Sequence, residues 1–154
     1  LAGIFDIREE ASHRLASRFS TKVFRTVEDV LDDRTIDAVA IATSTDTHAD
    51  YIVAAAKAGK AIFCEKPIDL SVARVQECRR QIEGTNAFIQ SGFNRRFDPT
   101  FRKVAAAVRE GQIGRLENLT IISRDPAPAS IEYYKVSGGI FKDMTIHDFD
   151  MARF

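Results

Sequence analysis

The chain has 154 residues, of which 45% are apolar and 29% charged, a balance typical of a folded globular chain rather than a disordered one. Lysine plus arginine and aspartate plus glutamate number 22 each, so no net basic charge favours binding to nucleic acid or to an anionic membrane. No run approaches the roughly 20 apolar residues of a membrane-spanning helix, and the length suits one domain, or one domain and part of another.

Apolar, strand-like runs alternate with amphipathic helices through residue 90. The predicted strands are 1–5, 22–24, 37–43, 60–64 and 86–90, and the predicted helices are 9–19, 26–31, 47–58 and one between Ser71 and Gly84. Thr26 and Asp29 form a capping-box pattern at the start of the second helix. This alternation predicts a mostly parallel sheet covered on both faces, in which ligands bind at the carboxyl ends of the strands.

Asp6 follows the first predicted strand, where a dinucleotide-binding fold places an acid that accepts hydrogen bonds from ribose hydroxyls. An acid there repels a 2′-phosphate, which favours NAD over NADP. The alternative is an ordinary turn or helix-capping aspartate. The glycine-rich fingerprint that normally precedes this acid is not in the chain, so we expect the first strand and the phosphate-binding turn of such a fold to be missing.

Two further segments follow predicted strands. Residues 43–48 (Thr-Ser-Thr-Asp-Thr-His) place hydroxyls and backbone amides where a cofactor would lie, although a plain helix-capping turn explains them equally well. In Glu65-Lys66-Pro67, the proline excludes helix at Lys66 and directs its ammonium over the sheet edge. That cation suits a developing alkoxide, and the alternative is a solvated lysine beside a turn.

The pattern changes after Gly92, which predicts a first domain over 1–92 and the beginning of a second over 93–154. Phe97, Phe101, Val104 and Val108 predict a helix that stops near Gly111. Residues 115–124 are predicted as a long strand and 125–129 as a loop kept unpaired by its prolines. A strand without a following helix favours a second, more antiparallel sheet.

Asp143 and His147 are four residues apart and are predicted to share one helix face. A histidine can take a proton near neutral pH, and a carboxylate one turn away can orient its ring. A surface pair is the simpler alternative. With Asp150 they also form a stripe that could bind a divalent metal, although Lys66 would add a cation if the sheet brought it to the same place.

Three motifs occur in order: Glu65-Lys66-Pro67; residues 92–99 (Gly-Phe-Asn-Arg-Arg-Phe-Asp-Pro); and Ser137-Gly138-Gly139 followed by Asp143, His147, Asp148 and Asp150. Together they resemble the signature of the glucose-fructose oxidoreductase, inositol dehydrogenase and rhizopine-catabolism (Gfo/Idh/MocA) family. The resemblance implies an α/β fold: a Rossmann-like, mostly parallel sheet lacking its first strand, followed by the start of an α+β substrate domain. The chain thus resembles an internal fragment.

The resemblance also implies roles for individual residues. The implied catalytic residues are Lys66, Asp143 and His147. The implied cofactor-binding residues are Asp6, Thr43, Ser44, Thr45, His48, Glu65 and Lys66. The implied substrate-binding residues are Asn94, Arg95 and Asp125, and no metal is implied.

The implied activity is NAD-dependent oxidation of a ring hydroxyl of a cyclic polyol, myo-inositol to 2-keto-myo-inositol, by hydride transfer. A sugar dehydrogenase of the same family and a non-catalytic member are the alternatives. The complete protein is expected to be a homo-oligomer, a tetramer, with a polyol or sugar substrate and no nucleic-acid or membrane partner. Cys64 and Cys78 form no CxxC or Cys/His cluster, and the chain opens without a basic and apolar leader, so we expect a cytoplasmic protein.

Overall fold

Strands and helices alternate along residues 1–91, which form one unit of the chain, and residues 92–154 form the other. The computed structural model describes every residue from Leu1 to Phe154. The strands of the first unit are β1 (Gly3–Ile4), β2 (Lys22–Val23), β3 (Ala38–Ile41), β4 (Ala61–Cys64) and β5 (Ile89–Ser91). Its helices are α1 (Glu9–Phe19), α2 (Val27–Asp32), α3 (Thr45–Lys57) and α4 (Val72–Ile82). The predicted alternation is therefore confirmed.

The strands form two parallel sheets rather than the single sheet that the sequence predicts. One sheet has the order β1-β2, and the other β3-β4-β5. The usual dinucleotide-binding order is 3-2-1-4-5-6, and removing its strand 1 leaves the groups 3-2 and 4-5-6. The observed groups match these two. The two sheets are thus the groups that lie on either side of strand 1 in that order.

The core of the first unit lies between the three-stranded sheet and helices α3 and α4. Ile52 of α3 is 1% exposed and Ile62 of β4 is 2% exposed, and both pack in one cluster with Cys64 and Cys78. The helix α3 begins at Thr45, two residues before the predicted start, because Ser44 serves as its N-cap. The predicted capping box of α2 is confirmed: the Thr26 side chain accepts from Asp29 N, and Asp29 accepts from Thr26 N.

The second unit is helical. A 3-10 helix (Asn94–Phe97) leads into α5 (Pro99–Arg109), which is followed by α6 (Ile131–Val136), α7 (Ile140–Asp143) and α8 (Thr145–Arg153). The predicted helix around Phe101 is confirmed as α5, which Asp98 caps by accepting from the amides of Thr100 and Phe101. No helix of the structure combines the length and apolar character needed to cross a membrane.

The prediction of a strand over residues 115–124 is wrong, because the structure has no strand there. This segment has no ladder of backbone hydrogen bonds, and Leu116, Leu119 and Ile122 are exposed. A strand forms only when a neighbouring strand satisfies its N–H and C=O groups, and no second strand lies in this unit. The second sheet expected from the alternating pattern is therefore absent from the structure.

We expect both cysteines to resist labelling while the chain is folded. Cys64 is fully buried and Cys78 is 5% exposed. Burial raises the pKa of the Cys64 thiol to about 12, and burial also raises the pKa of the Cys78 thiol. Since the thiolate is the reactive form, a thiol reagent at pH 8 should react with neither cysteine until denaturant is added, and then with both. Rapid labelling of the folded chain would contradict this packing.

Candidate active site

The register of the three-stranded sheet aligns the ends of its strands. Ile41 of β3 lies opposite Cys64 of β4, and Cys64 lies opposite Ser91 of β5. The amide of Glu65 continues this pairing by donating to the carbonyl of Ile41 at 2.9 Å. Consequently the segment after β3, beginning at Thr43, and the segment Glu65-Lys66-Pro67 after β4 leave the sheet at the same edge.

Asp6 follows β1 at the carboxyl end of that strand, as predicted. Its Oδ1 accepts a hydrogen bond from the amide of Arg8 at 2.7 Å, immediately before α1. This is the turn-forming role that the sequence left as the alternative. The side chain keeps 34% of its surface exposed, so the turn bond does not bury the carboxylate.

The turn between β3 and α3 presents hydroxyl groups at the sheet edge. Thr43 Oγ1 and Thr47 Oγ1 are 2.7 Å apart, and Thr47 Oγ1 also donates to the Ser44 carbonyl at 2.8 Å. Ser44 occupies the N-cap position without a side-chain capping bond, and both Thr43 and Ser44 are exposed. The start of a helix favours groups with negative charge or acceptor oxygens.

His48 lies four residues into α3 counting from Thr45, and its ring faces inward. Its Nδ1 is 2.8 Å from the Pro67 carbonyl oxygen, and its Nε2 is 3.0 Å from the Thr43 carbonyl oxygen. The residue is 2% exposed. The ring therefore connects the turn after β3 with the segment after β4. Lys66, which precedes Pro67 across a cis peptide bond, is half-buried.

Asp143 and His147 do not share one continuous helix, so the predicted common face is wrong. Asp143 is the last residue of α7, whereas His147 belongs to α8, and Met144 lies between the two helices. The amide of His147 donates to the carbonyl of Met144, three residues back. The break between α7 and α8 removes the single helix on which the four-residue spacing depends.

Asp143 accepts a hydrogen bond from a tyrosine that the sequence did not single out. The Tyr133 hydroxyl of α6 donates to Asp143 Oδ1 at 2.7 Å. This bond to the carboxylate, together with burial, raises the pKa of Tyr133 to about 12. No sequence pattern reveals the pair, since ten residues in two different helices separate the partners.

Phe93 contacts the imidazole of His147 edge-on. The ring centroids are 6.3 Å apart and the ring planes meet at 84°. Such T-shaped pairs are favourable and restrict how the smaller ring can turn. Phe93 belongs to the motif over residues 92–99, but its contact with His147 is visible only in the folded chain.

Two arginines of the 3-10 helix bind two aspartates of α8. Arg95 donates to Asp148 Oδ1 and to Ser123 Oγ, while Ser123 donates to Asp148 at 2.6 Å. Arg96 binds Asp150 through two bonds of 2.7 and 2.5 Å. Asp150 is thus held by a cation, which argues against the metal-binding stripe considered from the sequence.

The balance of burial and hydrogen bonding at Asp148 favours its charged form. Burial alone would raise the pKa of Asp148, but hydrogen bonds from Ser123 and Arg95 outweigh it and lower that pKa. The guanidinium of Arg95, predicted to face substrate, is engaged by these partners. Asn94 in the 3-10 helix and Asp125 in the loop, the other two predicted substrate residues, are both exposed.

Comparison with known protein families shows to which family the chain belongs. Residues 1–93 match the family model described as oxidoreductase family, NAD-binding Rossmann fold, and residues 101–154 match the GFO/IDH/MocA C-terminal domain. The chain belongs to the GFO/IDH/MocA oxidoreductase family. The resemblance drawn from the three motifs is therefore confirmed, and so is the Rossmann-like fold of the first unit.

Individual members of the GFO/IDH/MocA family are similar along most or all of the chain. Inositol 2-dehydrogenase of Rhizobium meliloti (strain 1021) is 51% identical over 154 residues, covering 100% of this chain and 46% of that protein. The scyllo-inositol 2-dehydrogenase (NAD(+)) of Bacillus subtilis (strain 168) is 42% identical over 82% of this chain and 37% of its own length. A myo-inositol dehydrogenase structure from Corynebacterium glutamicum ATCC 13032 superimposes with a TM-score of 0.93, at 45% identity, over 99% of this chain and 46% of that one. The chain spans about half the length of these relatives.

Polar residues that follow β1 and β3 fit part of NAD. A carboxylate at Asp6 can accept from ribose hydroxyls, and the hydroxyls of Thr43, Ser44 and Thr45 line the start of α3. The glycine-rich turn that holds a pyrophosphate is not among the residues of this chain. The carboxylate and hydroxyl groups present thus suit the polar groups of the cofactor's ribose.

We expect one of the three tyrosines, Tyr133, to lose its proton at a higher pH than an ordinary tyrosine does. Because the pKa of Tyr133 is raised to about 12 from 10.0, the Tyr133–Asp143 bond stabilises the fold fully below pH 10 and is lost as the pH rises through 12. The chain has no tryptophan, so phenolate absorbance near 295 nm reports the tyrosines directly. Tyr133→Phe should remove the late step, and Asp143→Asn should shift it toward pH 10. A single transition of all tyrosines in a chain that circular dichroism shows to be folded would contradict the bond.

We also expect Arg95 and Asp148 to stabilise the chain as a pair. Their side chains are 24% and 16% exposed, so the bond is partly shielded from water. Arg95→Met and Asp148→Asn should each lower the free energy of unfolding by about 1.5–3 kcal/mol, measured with urea. The double variant should cost little more than either one. Arg102→Met, an exposed control on α5, should change it by no more than about 0.5 kcal/mol. Additive costs would contradict the pairing.

Proposed function

We propose that the complete protein oxidises a ring hydroxyl of a cyclic polyol, myo-inositol, to the corresponding ketone with NAD. The observation that carries this proposal is the 51% identity to an inositol 2-dehydrogenase over 100% of the chain. Lys66, Asp143 and His147, the residues that the chemistry needs, are all present. Their presence favours an enzyme over a non-catalytic relative.

The proposed chemistry separates the two hydrogens of the carbinol. His147 takes the hydroxyl proton as a general base, and Lys66 stabilises the negative charge that grows on the oxygen. Asp143 is proposed to hold His147 in the tautomer that leaves a lone pair for this proton. NAD, when bound, supplies the acceptor for the hydride that leaves the carbinol carbon.

Binding roles follow from the same proposal. Asp6 is proposed to accept from the adenosine ribose and to disfavour NADP, while Thr43, Ser44, Thr45 and Glu65 line the cofactor with Lys66. Asn94 and Asp125 are proposed to contact substrate, and Arg95 to do so alongside its bond to Asp148. The protein is further proposed to act in the cytoplasm as a homo-oligomer, a tetramer.

A substrate screen of the full-length protein tests the activity. Reduced nicotinamide should form with myo-inositol and NAD, more slowly with other inositol isomers and common sugars, and poorly with NADP. Oxidation of sugars but of no inositol would make the protein a sugar dehydrogenase of the same family. Strict use of NADP would contradict the role of Asp6, and no turnover with any polyol or sugar would overturn the proposal.

A lysine substitution tests the proposed role of Lys66. Lys66→Ala should lower kcat by at least about tenfold, equivalent to about 1.4 kcal/mol of barrier, because the developing oxyanion loses its cation. Lys57→Ala, an exposed lysine in the last turn of α3, serves as the matched control and should leave kcat unchanged. If Lys66→Ala keeps more than about a tenth of the wild-type kcat, the proposed role of Lys66 in stabilising the oxyanion is wrong.

A further inference from the structure

His48 connects two segments of the sheet edge while remaining inaccessible to solvent. Its two ring nitrogens lie 2.8 Å from the Pro67 carbonyl oxygen and 3.0 Å from the Thr43 carbonyl oxygen, and the residue is 2% exposed. A carbonyl oxygen can only accept, and a neutral imidazole carries one N–H, so the ring donates to one of these two carbonyls at a time. Both ring nitrogens nevertheless face the protein's own backbone.

The two carbonyls belong to segments with different proposed roles. Thr43 opens the hydroxyl-rich turn before α3, and Pro67 directly follows Lys66. His48 itself is fixed by the body of α3, whose residues Ala49 and Ile52 are in the core. A bond from this ring to the Pro67 carbonyl thus holds the Lys66-Pro67 segment against a rigid helix.

We infer that His48 is a positioning residue for Lys66, acting through the Nδ1–H bond to the Pro67 carbonyl, rather than a direct contact of the cofactor. This inference rests on the proposed function, since it assigns His48 to the placement of the proposed catalytic lysine. The Nε2 contact with Thr43 orients the ring, and the Nδ1 bond fixes the segment that carries Lys66. A cofactor contact would need an accessible ring atom, which a residue buried to this extent does not offer.

Asparagine and glutamine variants of His48 test the Pro67 contact and the Thr43 contact separately. An asparagine amide ends about where Nδ1 stands, whereas a glutamine amide reaches about as far as Nε2. In the full-length protein, His48→Asn should therefore keep the bond to Pro67 and most of kcat. His48→Gln and His48→Phe should lose that bond and lower kcat by at least about tenfold, with the KM for polyol changed far less, because small displacements of a catalytic group are costly.

Hydrogen exchange supplies a measurement that needs neither NAD nor turnover. Peptides covering residues 65–70 should exchange faster in His48→Gln and His48→Phe than in the unsubstituted protein, and His48→Asn should restore slow exchange. His13→Gln, which changes an exposed histidine paired with Glu9, is the matched control and should alter neither exchange nor kcat.

The outcomes separate this inference from the proposed function. Equal exchange and equal kcat in all three variants would overturn the positioning role, as would better retention by glutamine than by asparagine. A rise in the KM for NAD with kcat and exchange unchanged would make His48 a cofactor contact instead. If the unsubstituted protein oxidises no polyol or sugar, the proposed function fails, while the exchange pattern still decides whether the ring holds this segment. Should His48→Phe fail to fold, the asparagine and glutamine pair suffices.

Discussion

The candidate site depends on the parallel pairing of β3, β4 and β5, whose carboxyl ends are in register. Because β3, β4 and β5 run in the same direction and stop in register, the segments that leave them start along one line. A sheet of this kind cannot place polar groups within its covered faces at low cost, so its chemistry collects at the edge. The residues proposed to act on cofactor and substrate in the first unit follow this rule.

In the second unit, ion pairs between arginine and aspartate side chains hold the helix that carries His147. Helix α8 is joined to the 3-10 helix by Arg95 and Arg96 on one side and Asp148 and Asp150 on the other. His147 sits beside these aspartates and meets the edge of Phe93. Guanidinium–carboxylate bonds are directional, so the orientation of α8 is set by geometry more than by apolar packing, of which this unit has little.

Much of the fold was accessible from the sequence because local patterns encode it. The capping box at Thr26, the helix around Phe101 and the alternation of strand and helix depend on neighbouring residues and are confirmed. The strand predicted over 115–124 failed because β-propensity needs a partner strand that local sequence cannot supply. The pairing of Asp143 with Tyr133 and the inward ring of His48 also escaped prediction, since both depend on residues distant in sequence.

Within this chain, the two sheets of the first unit bury different amounts of apolar surface. No backbone ladder joins β1 and β2 to β3, β4 and β5, although Leu31 of α2 packs against the apolar cluster of the later part. Through residue 35 only Ser12 and Ala16 are buried, whereas the buried residues of that cluster all lie after residue 40. Within the first unit, the segment that carries Asp6 should therefore loosen on warming before the sheet edge that carries Lys66.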